Sequence, residues 1–181
     1  MINSKSIAIG IGGCGANVTN YISKKINDVD VLEMRENIGE VMELKSKLKE
    51  YKLVFLIAGM GGMVGSPLTS VVAQMAKELN IFTIAITVIP FEFEDSSSSS
   101  QECMEKISKN VNALYVVENE KIRQFYSDLN ILDGFRKVDE TIAGIIEHIR
   151  NFFVLKDNFT LSIEDLKSIL IKEDLSMAKI F

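Results

Sequence analysis

The feature that most constrains the fold is a pair of glycine-rich turns, each placed directly after a short apolar run. The first run, residues 7–11 (IAIGI), is followed by glycines at positions 12, 13 and 15. The second run, residues 53–58 (LVFLIA), is followed by glycines at positions 59, 61, 62 and 65. An apolar run that ends in glycine and leads into helical periodicity predicts a strand, a turn and a helix. This is the opening unit of an α/β fold.

The rest of the chain alternates apolar runs with amphipathic segments. Near-continuous apolar strands that alternate with helices are typical of a parallel sheet covered on both faces. The sequence therefore predicts a doubly wound α/β domain with a mostly parallel sheet. The further strands are expected at residues 29–34, 81–89 and 114–117, and the helices at 16–26, 38–51, 67–79, 101–113, 120–126 and 139–153. Residues 96–100 (SSSSS) are expected in a loop, a further helix is expected to start at 162, and 177–181 are expected to form a strand or packed tail.

Composition argues against several functional classes. A chain of 181 residues suits one domain, and its net charge of −5 argues against a broad basic surface for nucleic acid. One His and two Cys argue against a multi-ligand metal centre and against a disulfide scaffold. No apolar stretch is long enough to span a membrane, and no export signal is recognisable. We therefore expect a cytoplasmic protein with no nucleic-acid or membrane partner.

The first glycine turn matches the pattern G-x-G-x-x-G at Gly10, Gly12 and Gly15. In a strand–turn–helix context these glycines let backbone N–H groups approach a phosphate, and the helix N-terminus adds a positive dipole. The pattern alone does not choose between NAD, FAD, ATP and GTP, and a tight turn without a ligand is the alternative. A nicotinamide enzyme would use Asp30 or Glu33 on the ribose. The second glycine turn makes that enzyme less favoured, because two such loops can hold a phosphate chain from two sides.

Five segments together resemble the FtsZ/tubulin family. Residues 58–66 (AGMGGMVGS) are similar to the family's signature loop A-G-M-G-G-G-T-G-T-G, and residues 10–20 (GIGGCGANVTN) to its phosphate loop G-V-G-G-G-G-G-N-A-V-N. The other similar segments occur in the family's order at residues 90–94 (PFEFE), 116–122 (VVENEKI) and 132–139 (LDGFRKVD). The resemblance implies a Rossmann-like guanine-nucleotide-binding domain over residues 1–158.

The resemblance also implies roles for particular residues, with GTP or GDP as the ligand and an accompanying Mg²⁺ ion left open. Asn119 would hydrogen-bond the guanine, Phe135 would lie against the base, and Asp139 would accept hydrogen bonds from the guanine N1–H and amino group. Glu94 would contact the ribose. The residues expected around the phosphates are Gly12, Gly13, Cys14, Asn17, Gly59, Gly61, Gly62, Gly65 and Ser66.

The chain departs from the family pattern where the terminal phosphate and the catalytic loop would lie. Met63 and Val64 replace a glycine and a threonine of the signature. Only residues 22–52 separate Tyr21 from Leu53, where the second glycine-bearing strand begins, too few for the family's phosphate-sensing loop. The catalytic loop N-x-D-x-x-D corresponds to residues 160–165, where Ser162 replaces one acid and Asp165 is retained. Asp165 is thus the candidate catalytic residue, and a carboxylate at a helix start is its alternative role.

Together these features favour a guanine-nucleotide-binding protein with weak or absent GTP hydrolysis, serving as a cytoskeletal or cell-division-related assembly module. An active, self-assembling GTPase is the alternative, and a nicotinamide-dependent enzyme is the third candidate. Residues 159–181 are expected to hold the degenerate catalytic loop and the tail, and the family's second domain is expected to be absent. The expected protein partners are further copies of the chain or a longer relative.

Overall fold

The computed structural model of the chain describes residues 5–35, 38–61, 65–91, 99–155 and 178–180. Its strands are β1 (Ser6–Ile11), β2 (Asp30–Met34), β3 (Leu53–Gly59), β4 (Phe82–Ile89), β5 (Ala113–Glu118) and β6 (Ala178–Ile180). Its helices are α1 (Gly12–Lys25), α2 (Ile38–Leu48), α3 (Gly65–Glu78), α4 (Ser99–Ser108), α5 (Asn119–Phe125) and α6 (Ile131–Leu155).

The strands form one sheet in the order β2-β1-β3-β4-β5-β6. The first five strands are parallel, and β6 runs antiparallel to β5. This arrangement confirms the predicted doubly wound, mostly parallel sheet. Chain connections leave β1 and β3 in opposite directions, so the gap between these two strands is a topological switch point. In open α/β sheets, ligands bind outside the carboxyl ends of the strands at such a point.

Helices cover both faces of the sheet. Side chains of α1, α5 and α6 pack against one face, where Phe55 and Tyr115 are fully buried. Side chains of α2, α3 and α4 pack against the other face, which carries Leu56 and Val116. Successive strand residues point to opposite faces, so neighbouring residues of β3 and of β5 belong to different cores. None of the helices within the described ranges is long and apolar enough to cross a lipid bilayer.

Helix α6 begins at Ile131, two turns before the predicted start at residue 139. Asn130 caps this end, because its Oδ1 accepts a hydrogen bond from the Asp133 backbone N–H at 3.0 Å and its Nδ2 donates to Asp133 Oδ2 at 2.6 Å. Because α6 begins this early, both predicted base-side residues of the segment 132–139 belong to it. Phe135 and Asp139 lie one turn apart on the same face of α6.

Other helix bounds also differ from the prediction, and Ser99 and Ser100, expected in a loop, open α4. Helix α4 ends at Ser108 rather than at residue 113, and Asn112 lies in the turn that follows. The Oδ1 atom of Asn112 accepts a hydrogen bond from the backbone N–H of Thr83 at 2.8 Å, which ties this turn to β4. Helix α1 begins at Gly12 instead of residue 16, so the first glycine turn is itself the first helical turn. The helix predicted from residue 162 lies outside the described residues.

Candidate functional site

The carboxyl ends of four neighbouring strands bring most of the predicted site residues to one edge of the sheet. The register aligns Ile11 of β1 with Ala58 of β3, and Ile89 of β4 with Glu118 of β5. The segments that follow these strands therefore lie side by side along the edge. With a strand spacing of roughly 4.8 Å, the ends of β1 and β5 are about 14 Å apart, a distance that an extended nucleotide can bridge.

The first glycine turn packs α1 tightly against the sheet. A Cβ on Gly10 would lie 2.3 Å from the carbonyl oxygen of Gly15, and a Cβ on Gly15 would lie 2.4 Å from the carbonyl oxygen of Ile57. Gly12 has a φ of 73°, a conformation that other residues rarely adopt. A Cβ on Gly13, in contrast, would meet nothing within 4 Å. The turn is therefore closed towards the sheet and open towards the edge.

The N-terminus of α1 is suited to hold an anion. Its N-cap residue, Ile11, makes no side-chain capping hydrogen bond, and its first turn contains no acidic residue. The first N–H groups of a helix lack intrahelical partners, and the helix dipole favours negative charge at this end. Asn17 lies one turn further along α1 and is exposed. These features fit a phosphate group at Gly12, Gly13 and Cys14.

The second glycine turn meets the first one. A Cβ on Gly59 would lie 3.0 Å from the Cβ of Cys14, so the cysteine side chain occupies the space beside Gly59. The next residue, Met60, is buried, and its backbone N–H donates to the carbonyl oxygen of Val88 at 2.8 Å. The hydroxyl of Ser100 on α4 donates to the carbonyl oxygen of Met60. These bonds fix the path of the chain as it leaves β3.

The rest of the second turn is described in part. Gly61 is half-buried, and Gly65 begins α3. Gly62 lies outside the described residues, as do the side chain of Ser66, the predicted ribose residue Glu94 and the candidate catalytic residue Asp165. The roles predicted for these four, like those of the other site residues, therefore stay predictions.

Asn119 is the first residue of α5 and directly follows β5. It is 4% exposed, and its Oδ1 atom is buried without a hydrogen-bond partner among the described residues. Leaving such an acceptor unpaired costs roughly 1–3 kcal/mol. Buried polar groups of native proteins are usually paired with protein, water or ligand atoms. Asn119 therefore presents a ready acceptor to an N–H group of a ligand at this edge.

Two residues of α6 complete the predicted base side of the site. The ring of Phe135 is 38% exposed and meets the ring of Phe91, just beyond β4, at a centroid distance of 5.1 Å and an interplanar angle of 88°. Asp139 lies one turn further along α6 and is half-buried. Desolvation raises the pKa of its carboxyl group to about 6. Its carboxylate has no hydrogen bond or ion pair with any residue that the structure describes, so it is available to ligand N–H donors.

Sequence reasoning missed Phe91 as part of the site. The signal was its place directly after a strand end, within the motif P-F-x-F-E. The single histidine of the chain, His148, contacts the backbone of its own helix. His148 Nδ1 lies 2.7 Å from the carbonyl oxygen of Gly144, one turn earlier in α6. Within the described ranges, no group of three or more His, Cys, Asp or Glu side chains is arranged to hold a metal ion.

Comparisons with known proteins point to one family. The model of the Tubulin/FtsZ family, GTPase domain, matches residues 30–127. A cell division protein FtsZ of Porphyromonas gingivalis is 38% identical over 121 residues, which cover 66% of this chain and 26% of that protein. The FtsZ of Azotobacter vinelandii is 29% identical over 168 residues, covering 91% of this chain and 40% of the relative. The chain thus spans less than half the length of these curated relatives.

A solved structure shares the fold over most of the chain. The FtsZ dimer from M. jannaschii, described as empty, superimposes with a TM-score of 0.75 and 18% sequence identity over 91% of this chain and 60% of that one. The family model spans more than half of the 181 residues. The chain therefore belongs to the tubulin/FtsZ family.

Proposed function

We propose that this chain binds a guanine nucleotide, GDP or GTP, along the carboxyl edge of its parallel strands and hydrolyses GTP weakly or not at all. The observation that carries the proposal is the buried, unpaired Oδ1 atom of Asn119. The guanine edge offers three N–H hydrogens, one on N1 and two on the exocyclic amine, so one remains for Asn119 when a carboxylate accepts the other two. An N–H of the ligand that met Asn119 would relieve the cost of the unpaired acceptor.

Asp139 supplies the chemistry for choosing guanine over adenine. An ionised carboxylate accepts hydrogen bonds through two oxygens and so matches two adjacent N–H groups. Adenine presents a ring acceptor where guanine presents N1–H, which would leave one carboxylate oxygen facing a lone pair. The half-buried position strengthens this selection, because a desolvated charge that stays unpaired is costly. Phe135, which is partly exposed beside this helix face, offers a ring surface for the base.

The phosphates are proposed to lie between the two glycine turns. The N-terminus of α1 offers backbone N–H groups, and Gly13 leaves open space beside them. The close approach of Cys14 to Gly59 places the second turn next to the first. A Mg²⁺ ion that accompanies the nucleotide would rest on phosphate oxygens and water, which are its preferred ligands.

Weak hydrolysis is supported by the sequence of the segments that would surround the terminal phosphate. Met63 and Val64 carry apolar side chains where the family pattern has a glycine and a hydroxyl, and Ser162 replaces an acid of the catalytic loop. Self-association, or association with a longer relative, is part of the proposal. The M. jannaschii FtsZ structure is described as a dimer, which supports the proposed self-association.

Calorimetric titration of the purified protein with GDP, GTP, ATP and NAD tests the proposal. We expect the two guanine nucleotides to bind and the other two ligands to bind far more weakly. Tighter binding of NAD than of GDP would contradict the proposal and favour a nicotinamide-dependent enzyme. Turnover that rises steeply with protein concentration would instead favour the self-assembling GTPase.

A further inference from the structure

Phe91 lies at the junction between the sheet and α6. It follows β4, is 3% exposed, and directs its ring against that of Phe135 in an edge-to-face contact. Aromatic pairs in this geometry stabilise one another beyond the area that they bury, because the positive ring edge meets the negative ring face. The contact therefore favours one orientation of the Phe135 ring.

The surroundings make Phe135 dependent on this contact. Gly134 is buried beside Phe91, and a Cβ added there would lie 3.8 Å from the Phe91 Cζ atom, so α6 approaches Phe91 closely at this turn. A pocket of about 590 Å³ lies against the same two residues and is otherwise lined by α5, the start of α6 and the turn between them, including Ile122 of α5 and Tyr126 and Leu129 of the turn. Without the Phe91 ring, this pocket would extend towards Phe135.

We infer that Phe91 is a positioning residue, which holds the ring of Phe135 in the orientation that receives the guanine base. The inference rests on the proposed function. Phe91 orients the Phe135 ring in the ligand-free protein. A ring that is already oriented loses less conformational freedom when the base binds, which improves affinity. The effect of Phe91 is therefore confined to the base and does not reach the phosphates at the other end of the edge.

The first test compares Phe91→Leu with a matched control, Phe82→Leu. Phe82 is the first residue of β4 and pairs with Phe153 at 5.8 Å, at the opposite end of the same strand. Affinities for GDP and for inorganic pyrophosphate are measured by calorimetry. We expect Phe91→Leu to weaken GDP binding roughly two- to tenfold. We expect it to leave pyrophosphate binding unchanged, and Phe82→Leu to change neither affinity.

The second test is a double-mutant cycle with Phe135→Leu. If Phe91 acts through Phe135, Phe91→Leu has no further effect on GDP affinity once Phe135 is replaced. An equal loss in both backgrounds, an equal loss of pyrophosphate affinity, or no loss of GDP affinity would each overturn the inference. Phe91→Met, which keeps a similar apolar volume, replaces Phe91→Leu in both tests if the latter fails to fold.

The measured affinities distinguish failure of the positioning role of Phe91 from failure of the proposed guanine-nucleotide binding. Failure of the unmutated protein to prefer GDP over ADP would contradict the proposed function, and the inference with it. A clear preference for GDP over ADP, together with a GDP affinity that falls in Phe135→Leu but not in Phe91→Leu, would leave the function standing and overturn the positioning role alone.

Discussion

Cys14 and Gly59 meet at the switch point of the sheet, where a Cβ on Gly59 would lie 3.0 Å from the Cβ of Cys14. The first residue belongs to the turn after β1 and the second closes β3, so the two glycine turns pack closely at this point. The absence of a side chain at position 59 thus leaves room for the Cβ of the residue at position 14.

The first prediction follows from this contact. We expect Gly59→Ala to lower the free energy of unfolding by about 1–3 kcal/mol through overpacking, and to weaken GDP binding by displacing the first turn. The double variant Cys14→Gly/Gly59→Ala should recover most of both losses. Thermal unfolding and GDP titration measure the effect. Gly144→Ala is the matched control, because the same methyl group meets nothing within 4 Å there.

The second prediction concerns Asp139 and pH. Desolvation raises its pKa from 3.8 to about 6, so the ligand-free folded state binds this proton more tightly than the unfolded state does. Asp139 therefore stabilises the fold less as the pH rises from about 4 to about 6, and its charge is unfavourable above that window. We expect Asp139→Asn to raise the melting temperature at about pH 8 and to have little effect near pH 4. Glu147→Gln, an exposed carboxyl on the same helix, is the control.

The same shift predicts a pH dependence of ligand binding. A protonated Asp139 can no longer accept two N–H groups, so GDP affinity should fall as the pH drops below about 6. Calorimetric titrations at several pH values measure it. In Asp139→Asn this fall should be absent, and a fall of equal size in that variant would place the titrating group elsewhere.

The third prediction concerns the terminal phosphate. Few groups are available to contact the terminal phosphate. Met63 and Val64 are apolar, and the segment before the second glycine-bearing strand is limited to residues 22–52. GTP and GDP should therefore bind within about tenfold of each other, or roughly 1.4 kcal/mol. A much larger preference for GTP in direct titrations would show that another segment contacts the terminal phosphate.

The fourth prediction is that the chain hydrolyses GTP near the background rate. Water positioning depends on geometry, and a displacement of about 1 Å can cost on the order of a hundredfold in rate. Ser162 in place of an acid leaves Asp165 alone in the catalytic loop. Phosphate release is measured against protein concentration, with Asp165→Ala as the comparison. A rate that climbs with concentration and collapses in the variant would refute the prediction.

The sheet and its covering helices could be predicted because their signals are local. Fully buried strands such as β1 and β3 contain almost no polar residue, and the glycine pattern reflects the close approach of Gly10 to Gly15. The first two turns of α6 were missed for a physical reason. Apolar residues do recur at helical spacing there, at 131, 135 and 138, but Ile131 and Leu132 are 61% and 72% exposed, so these turns lie beyond the part of α6 that is buried against the sheet. The cap at Asn130 was a signal that could have found it.

The base side of the site is predicted from the resemblance, and its energetics could not be predicted from the sequence. The burial of Asn119 depends on how α5 packs beneath the end of β5, and the desolvation of Asp139 depends on how α6 lies against the sheet. Both are consequences of contacts between segments distant in sequence. The contact of Phe91 with Phe135 has the same origin, since 43 intervening positions (92–134) separate the two rings in the chain.

The ratio of GDP to ADP affinity, in the unmutated protein and in Asp139→Ala, tests the central claim most directly. A site that pairs its buried acceptors with the guanine edge rejects adenine because those acceptors would stay unpaired. We expect a preference for GDP on the order of a hundredfold, erased in Asp139→Ala and retained in the exposed control Glu147→Ala. Equal affinities for GDP and ADP in the unmutated protein would contradict the assignment of this edge as a guanine-nucleotide site.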